Sequence, residues 1–260
     1  MTLKIGIAGS LGRMGRLLTR EVLEKSPEVS LSCASARNIK ELKSFLPNDC
    51  DAVLTDSPKT LVMESDVIID FTVPELSLRH AYYATELNKR LVIGTTGFSD
   101  EHYQKLSKAG QSTALLVTSN TSLGITVLGS IAPLVKQALG PDFDIEIRDV
   151  HHRDKKDAPS GTALTLASKL SSDDPASLRN HQDLTLPCRN KSEIGISVTR
   201  AGGIIGDHEI SFVSKNEIIT LSHRSLDRRL FASGALKAAQ WIASQKPGLY
   251  SMEDVLLKNP

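Results

Sequence analysis

The chain opens on a short apolar run, Leu3-Lys-Ile-Gly-Ile-Ala8, followed at once by Gly9-x-x-Gly12-x-x-Gly15. A helical pattern then runs from Arg13 to Lys25, with Met14, Leu17, Leu18, Val22 and Leu23 as its apolar positions. A buried strand, a glycine turn and an amphipathic helix in immediate succession leave few folds open. They are the opening unit of a doubly wound parallel sheet. In that context the glycines let backbone approach a pyrophosphate, and the helix start offers free N–H groups and a positive dipole end. Gly9, Ser10, Leu11, Gly12, Arg13 and Met14 are the candidate contacts. The spacing departs from G-x-G-x-x-G, because Ser10 stands where the first glycine would.

A second strand, Val29 to Ala34, should end beside the adenosine ribose. NAD-selective proteins of this type usually place Asp or Glu there for the 2′-hydroxyl. This chain reads Cys33-Ala-Ser-Ala-Arg-Asn38, with no acid before Glu41. Ser35 and Arg37 are candidates for the 2′-phosphate of NADP, against the alternative of an exposed polar loop. Use of both NADPH and NADH is expected. Val67 to Phe71 reads as another buried strand, and Pro74 suits the first turn of a helix reaching Leu87. The strands Leu91 to Ile93 and Ala114 to Thr118 end in Gly94-Thr95-Thr96-Gly97 and Ser119-Asn120-Thr121-Ser122. Such polar turns lie on the edge where open α/β sheets bind ligands.

From Leu123 the pattern changes. A helix is predicted to Leu139, closed by Gly140-Pro141. Phe143 to Val150 alternates Ile145 and Ile147 with charged residues, as a half-exposed strand does. Ser171 to Lys191 is polar and irregular, as a surface loop would be. Ile194 to Arg200, Glu209 to Val213 and Glu217 to Ser222 read as strands, with a hairpin turn at Ser214 to Glu217. Ala232 to Ser244 is a last helix. The expected class is α/β, a Rossmann-like parallel-sheet domain plus an α+β substrate and oligomerisation domain with a mixed sheet.

The densest chemistry lies in His151 to Ala163, H-H-R-D-K-K-D-A-P-S-G-T-A. The imidazoles exchange protons near neutral pH. A Lys can act as a point charge or a proton donor. Ser160 is a natural N-cap, and a helix opening at Ser160-Gly161-Thr162 would turn N–H groups towards a carboxylate. Arg153, Asp154 and Lys156 read as solvated, and Asp157 as a residue that orders the turn. His151, His152 and Asp154 make a poor metal site, because adjacent strand residues point to opposite faces. No metal is expected. Arg200 and His208 read as buried network residues of the sheet, and Arg229 as the likeliest fork for a second carboxylate. His80, His102 and His181 have no partner pattern and read as surface residues.

Composition excludes other classes. The net charge of +1 over 260 residues gives no reason to expect nucleic acid or a membrane surface as partner. No apolar run approaches a membrane span. A strand beginning at Leu3 leaves no room for a signal peptide, and a cytoplasmic protein is expected. Cys33, Cys50 and Cys188 have no metal-type spacing and read as free thiols.

H-H-x-x-K-x-D-A-P-S-G-T-A resembles the central motif of the dihydrodipicolinate reductase (4-hydroxy-tetrahydrodipicolinate reductase) family. Gly9 to Gly15, Asp70-Phe-Thr-Val-Pro74, Val92 to Gly97, Arg200 to His208 and Arg229 to Ala235 resemble its other landmarks, in family order. The resemblance implies hydride transfer from a reduced nicotinamide to an unsaturated dicarboxylate ring, completed by protonation. It implies a small dicarboxylate substrate and a homotetramer, and it returns the last helix to the nucleotide domain, so that the first domain would comprise residues 1–122 and 232–260, and the second 123–231. By the same resemblance His151 is the catalytic acid and Lys155 a second proton donor that also pairs with a substrate carboxylate. His152 contacts substrate, and Ser160, Gly161 and Thr162 form its carboxylate cradle. Gly94, Thr95 and Thr96, with Thr118, Ser119, Asn120 and Thr121, lie against the nicotinamide end. Two positions depart from the family: the acid often found after the second strand is absent, and Thr121 replaces a common apolar residue.

Overall fold

The structure, a computed structural model, describes residues 2–25, 27–171, 178–180, 188–190 and 193–257. The chain divides into two compact units, Met1–Leu123 with Arg229–Pro260, and Gly124–Arg228. Its first half alternates strand and helix: β1 (Leu3–Ala8), α1 (Arg13–Glu24), β2 (Val29–Ser35), α2 (Ile39–Phe45), β3 (Val53–Thr55), α3 (Pro58–Met63) and β4 (Val67–Asp70). It continues through α4 (Pro74–Glu86), β5 (Arg90–Ile93), α5 (Asp100–Gly110) and β6 (Ala114–Val117). Next come α6 (Leu123–Leu139), β7 (Asp144–His151), α7 (Gly161–Leu170), β8 (Leu178–Asn180), β9 (Ile194–Arg200), β10 (Asp207–Val213) and β11 (Ile218–Arg224). The last elements are α8 (Arg229–Ile242), β12 (Gly248–Tyr250) and α9 (Met252–Leu257).

The first unit holds a seven-stranded sheet in the order β12-β6-β5-β4-β1-β2-β3, with all pairs parallel. Its strands are apolar on both faces, because helices cover both. Ile5, Ile7, Val67 and Ile69 pack with Leu18 and Val22 of α1 and with Ala235, Ala239 and Ile242 of α8. Ile68, Leu91, Ile93 and Leu115 face Leu61, Ala81 and Leu106 of α3, α4 and α5. Strand order reverses beside β1, and ligands bind at the carboxyl edge of such a switch point. The periodicity did not reveal α2, β3, α3, α5, β12 or α9. Three of these helices carry capping signals: Asn38, Ser57 and Ser99 each accept the N–H three residues ahead.

The second unit has a mixed five-stranded sheet, β11-β10-β7-β9-β8. Strand β10 runs antiparallel to β7 and β11, while β9 lies between β7 and β8 and runs parallel to both. Its core joins Ile145, Ile147, Ile196, Ile210 and Phe212 to Leu128 of α6 and Leu166 and Leu170 of α7. The stretch read as a surface loop, Ser171 to Lys191, contains β8, paired with β9. Most of the rest of that stretch, His181 included, lies outside the described residues. No helix among the described residues is long and apolar enough to cross a membrane.

Candidate active site

In the first unit the glycine loop closes the carboxyl end of β1. Gly9 has φ +68°, a conformation that an L side chain resists. A Cβ on Gly15 would fall 2.1 Å from the Gly9 carbonyl oxygen, so bare glycine lets α1 pack onto the loop. Ser10 is buried: its hydroxyl donates to the Ile7 carbonyl at 3.0 Å and its N–H to the Ser35 carbonyl at 2.8 Å. Its side chain therefore supports the loop from inside. Gly12 is the N-cap of α1, with no side-chain cap on the helix start. Leu11 and Met14 are half-buried, while Gly12 and Arg13 are exposed. This bare, positively polarised helix start fits a pyrophosphate.

Ser35 ends β2, and its hydroxyl accepts the Gly9 N–H at 3.3 Å. Arg37 is exposed, and no ion pair holds it among the described residues. Glu41, the first acid after β2, pairs with Arg16 at 2.8 Å. The turn therefore presents a cation, with its nearest following acid already matched.

Behind the Gly94 turn lies a buried polar network that the sequence pattern did not show. Asp70, fully buried at the end of β4, meets His80 Nδ1 at 2.7 Å. His80 is 1% exposed, which corrects its reading as a surface residue. The imidazole reaches back from α4 to a carboxylate that needs a partner. Asp70 also accepts from the Thr72 N–H at 2.9 Å and the Thr72 hydroxyl at 2.6 Å. Thr95 joins it: its hydroxyl oxygen accepts from Thr72 N and Ser77 Oγ, both at 2.9 Å. Burial alone would raise the Asp70 pKa, but His80, Thr72 and Ser77 outweigh it and hold the carboxyl below its ordinary value. Thr95 is thus an internal brace, while Thr96 is exposed. A Cβ on Gly94 would strike the Phe71 ring at 2.3 Å.

The second polar turn of this edge behaves similarly. Thr118 Oγ1 donates to the Asn120 carbonyl at 2.8 Å and accepts its N–H at 3.1 Å. Ser119 is exposed. Thr121 is buried, and its hydroxyl donates to the Phe231 carbonyl at 2.8 Å. Its side chain is therefore turned into the protein. His102, half-buried, closes a capping box with Ser99.

The second unit builds its site by alternation. The period of two that buries Ile145 and Ile147 on the helix-covered face puts Asp149 and His151 on that face as well. The register sets His208 opposite Asp149 and Arg200 opposite His151. The apolar core therefore ends in a buried polar cluster at the carboxyl end of β7. Asp149 Oδ1 lies 2.8 Å from His151 Nδ1 and 3.4 Å from His208 Nε2. The contact with His151 is a close polar one, although the ring N–H of His151 points off the line to that oxygen. Oδ2 pairs with Arg200 Nη2 at 3.0 Å. Ser160 gives Asp149 its N–H at 2.8 Å and its hydroxyl at 2.9 Å. Burial raises the Asp149 pKa, yet the contacts of His151, His208 and Ser160 prevail and hold it far below the carboxylate range. His223 on β11 is pushed down by burial and by the charge of His208.

The turn from β7 to α7 carries the other predicted residues. His152 is half-buried and follows directly on the last residue of β7. Lys155 pairs with Asp157 at 2.9 Å, and Arg200 donates to the Asp157 carbonyl at 2.6 Å, tying the turn to the sheet. Burial raises the Asp157 pKa and the Lys155 pairing lowers it, with a net fall. Ser160 caps α7 by accepting the Ala163 N–H at 3.1 Å, which places Gly161 and Thr162 in the first turn. Arg229 is the first residue of α8. It belongs to the first unit, where it pairs with Glu24 and lies 3.6 Å from Glu21. Its fork meets carboxylates of α1, which sequence spacing alone does not bring near it.

Asp149, His151 and His208 present ligand atoms within 4.8 Å of one another, a separation a metal ion could span. The donor set fits one poorly. Asp149 already accepts two hydrogen bonds from Ser160, and the Arg200 guanidinium stands beside it. A cation would have to displace donors next to a fixed positive charge. The cluster is better suited to holding protons.

The known proteins similar to this chain agree in kind. Family models described as dihydrodipicolinate reductase N-terminus and C-terminus match residues 3–121 and 124–256. A 4-hydroxy-tetrahydrodipicolinate reductase of Rickettsia rickettsii is 39% identical over 254 residues, covering 97% of this chain and 98% of the relative. One of Anaplasma marginale is 41% identical, with 98% and 99% covered. A solved dihydrodipicolinate reductase of Paenisporosarcina sp. TG-14, with dipicolinate bound, superposes with a TM-score of 0.80 at 26% identity, covering 99% of this chain and 100% of that one.

Proposed function

The chain belongs to the dihydrodipicolinate reductase family, and on that premise we propose that it reduces 4-hydroxy-tetrahydrodipicolinate to tetrahydrodipicolinate, in the diaminopimelate route to lysine. It is a nicotinamide-dependent oxidoreductase. The observation that carries the reading is the buried cluster at the end of β7, where His151 and the capped start of α7 are held by one carboxylate. The reduced nicotinamide, when bound, supplies the hydride. The chain's own residues hold the ligands and move the proton. The 4-hydroxyl leaves as water to give the unsaturated dihydrodipicolinate ring; hydride then adds electron density to that ring, and His151 gives the proton that completes the reduction. Lys155 serves as the second donor and as the charge for a substrate carboxylate. Ser160, Gly161 and Thr162 take a carboxylate on the start of α7, with His152 beside them.

On the first unit the pyrophosphate is assigned to Gly9 through Met14, with Ser10 acting through its backbone. The nicotinamide end is assigned to Gly94, Thr95, Thr96 and Thr118 to Thr121, where Thr95 and Thr121 brace the turns from within. Ser35 and Arg37 face the adenosine ribose. With Glu41 matched by Arg16 and Arg37 exposed in the turn, a 2′-phosphate finds a cation there, so NADPH serves at least as well as NADH. The exposed edge strand β11 favours a homo-oligomer, and the family resemblance makes it a homotetramer, which light scattering tests. A cytoplasmic location follows from the biosynthetic role.

The deciding experiment adds freshly prepared dihydrodipicolinate to the protein with NADPH, then with NADH, and follows nicotinamide absorbance. A protein-dependent fall is expected. No fall with either cofactor would refute the function.

A further inference from the structure

Asp149 has no assigned task in the reaction, yet it touches both working parts of the second unit's site. On one side its carboxylate lies 2.8 Å from His151 Nδ1. On the other it accepts from Ser160 N and Oγ at 2.8 and 2.9 Å. Arg200 and His208 occupy the remaining directions. The carboxylate is fully buried, so water does not dilute these contacts. An anion against Nδ1 favours a proton on that nitrogen and leaves Nε2 as the atom that gives and takes one. Gly206 gives Nε2 its room, since a Cβ there would lie 3.0 Å from it. Ser160, in turn, is the residue from which α7 starts. Whatever fixes Ser160 fixes where Gly161 and Thr162 stand.

We propose that Asp149 is a positioning residue for the reaction: it holds His151 with Nε2 as the exchanging atom and, through Ser160, sets the start of α7 that receives a substrate carboxylate. Donor and cradle then keep one geometry because one buried group holds both. The proposal rests on the reading of His151 as the acid and of the α7 start as the cradle.

Three variants separate the parts: Asp149→Asn, His151→Gln and Ser160→Ala. Turnover, Michaelis constant and dipicolinate affinity are measured for each, and NADPH affinity reports folding of the first unit. His151→Gln should lower kcat alone. Ser160→Ala should chiefly weaken dipicolinate. Asp149→Asn should do both, lowering kcat about 10²-fold and weakening dipicolinate about tenfold, which corresponds to ~1.4 kcal/mol. Nitrogen-15 spectra of labelled histidine give a readout that mere destabilisation would not move. Neutral His151 should carry its proton on Nδ1 in the wild type and shift towards Nε2 in Asp149→Asn. A folded Asp149→Asn protein with kcat and dipicolinate affinity near wild type overturns the proposal. So does a wild-type spectrum with the proton on Nε2, a result that stands even if the variant does not fold. Wild-type turnover in His151→Gln would instead defeat the acid reading itself, while dipicolinate affinity still reports on the Ser160 arm.

Discussion

His151 sits where a strand's inward face runs out of apolar residues, and that position fits it to carry a proton. It is nearly buried, so bulk water competes weakly for its proton, yet it ends β7 next to the turn that carries Lys155. Replacing it with Gln should cut kcat by a factor of about 10² to 10⁴, the usual cost of losing a general acid. Cofactor affinity should stay close to wild type, because the glycine loop is on the other unit. Steady-state kinetics with NADPH titration tests this, and unimpaired turnover would remove His151 from the mechanism. Lys155 differs in that Asp157 already holds it. A substrate carboxylate must share or replace that partner, so Lys155→Ala should weaken dipicolinate and slow turnover together. If both were unchanged, Lys155 would be a surface charge. At the ribose, Arg37→Ala should raise the Michaelis constant for NADPH about tenfold and leave that for NADH nearly alone. The figure takes the lower end of the ~1.5–3 kcal/mol typical of a charge-assisted hydrogen bond, because Arg37 is exposed. Equal effects on both cofactors would mean that the loop has been misread. The residues of His151 to Thr162 were legible because their chemistry is contiguous in sequence. The pairings of His80 and Arg229 were not. Their partners, Asp70, Glu21 and Glu24, lie on other elements, and only the folded sheet brings them within reach.

Elements were legible where burial imposes a period. The strands β1, β4 and β9 and the helices α1 and α6 are long or apolar enough to show one. The strand β3 has three residues, one of them exposed, and leaves no periodic trace. In α7 the cap and the first turn could be read from Ser-Gly-Thr alone, whereas the pairing of Ser160 with Asp149 needed the folded turn, and that of His208 with Asp149 the register of β7 against β10. The carboxyl end of β4 carries a prediction of its own. Asp70 is buried with its pKa lowered, chiefly by His80 once burial is overcome. A carboxyl lowered by folding binds its proton more weakly in the native state than in the unfolded chain. Its contribution is therefore present above the unfolded value of about 3.9 and is lost as pH falls towards the folded one. Asp70→Asn should lower stability at neutral pH by about 3–5 kcal/mol, the range for breaking a buried pair. It should also flatten the decline of stability below about pH 4. Urea unfolding over a series of pH values measures both. An acid decline as steep as wild type would mean that Asp70 is not the group being titrated.

At the scale of the whole molecule, the first unit is discontinuous in sequence. The sheet that carries the glycine loop is completed only when the chain returns as α8, β12 and α9. Helix α8 lays Ala232, Ala235, Leu236, Ala238, Ala239 and Ile242 into the core that also holds Ile5, Ile7, Leu18 and Val22. Strand β12 adds the last parallel partner, on β6. The sequence indicated a final Ala-rich helix, and only the family resemblance placed it in the first domain, because composition says nothing about which sheet a helix covers. Burying a large aliphatic side chain is worth roughly 1.5–3 kcal/mol. Removing Leu236 and Ile242 together with the alanine face thus approaches the ~5–15 kcal/mol that stabilises a typical domain. A chain ending at Arg228 should therefore lose the fold of its first unit although every residue of the glycine loop is present. The measurement is NADPH binding by fluorescence, with circular dichroism on the same sample. The expected result is no detectable binding and a loss of helical signal beyond that of the deleted residues. Supplying the missing segment as part of the intact chain, with only Ile242→Ala changed, should give an intermediate case: a cavity cost of about 2–5 kcal/mol, with binding retained at low temperature and lost at a lower melting point than wild type. A truncated chain that bound NADPH as tightly as the whole would show that α8 and β12 decorate a nucleotide domain already complete without them.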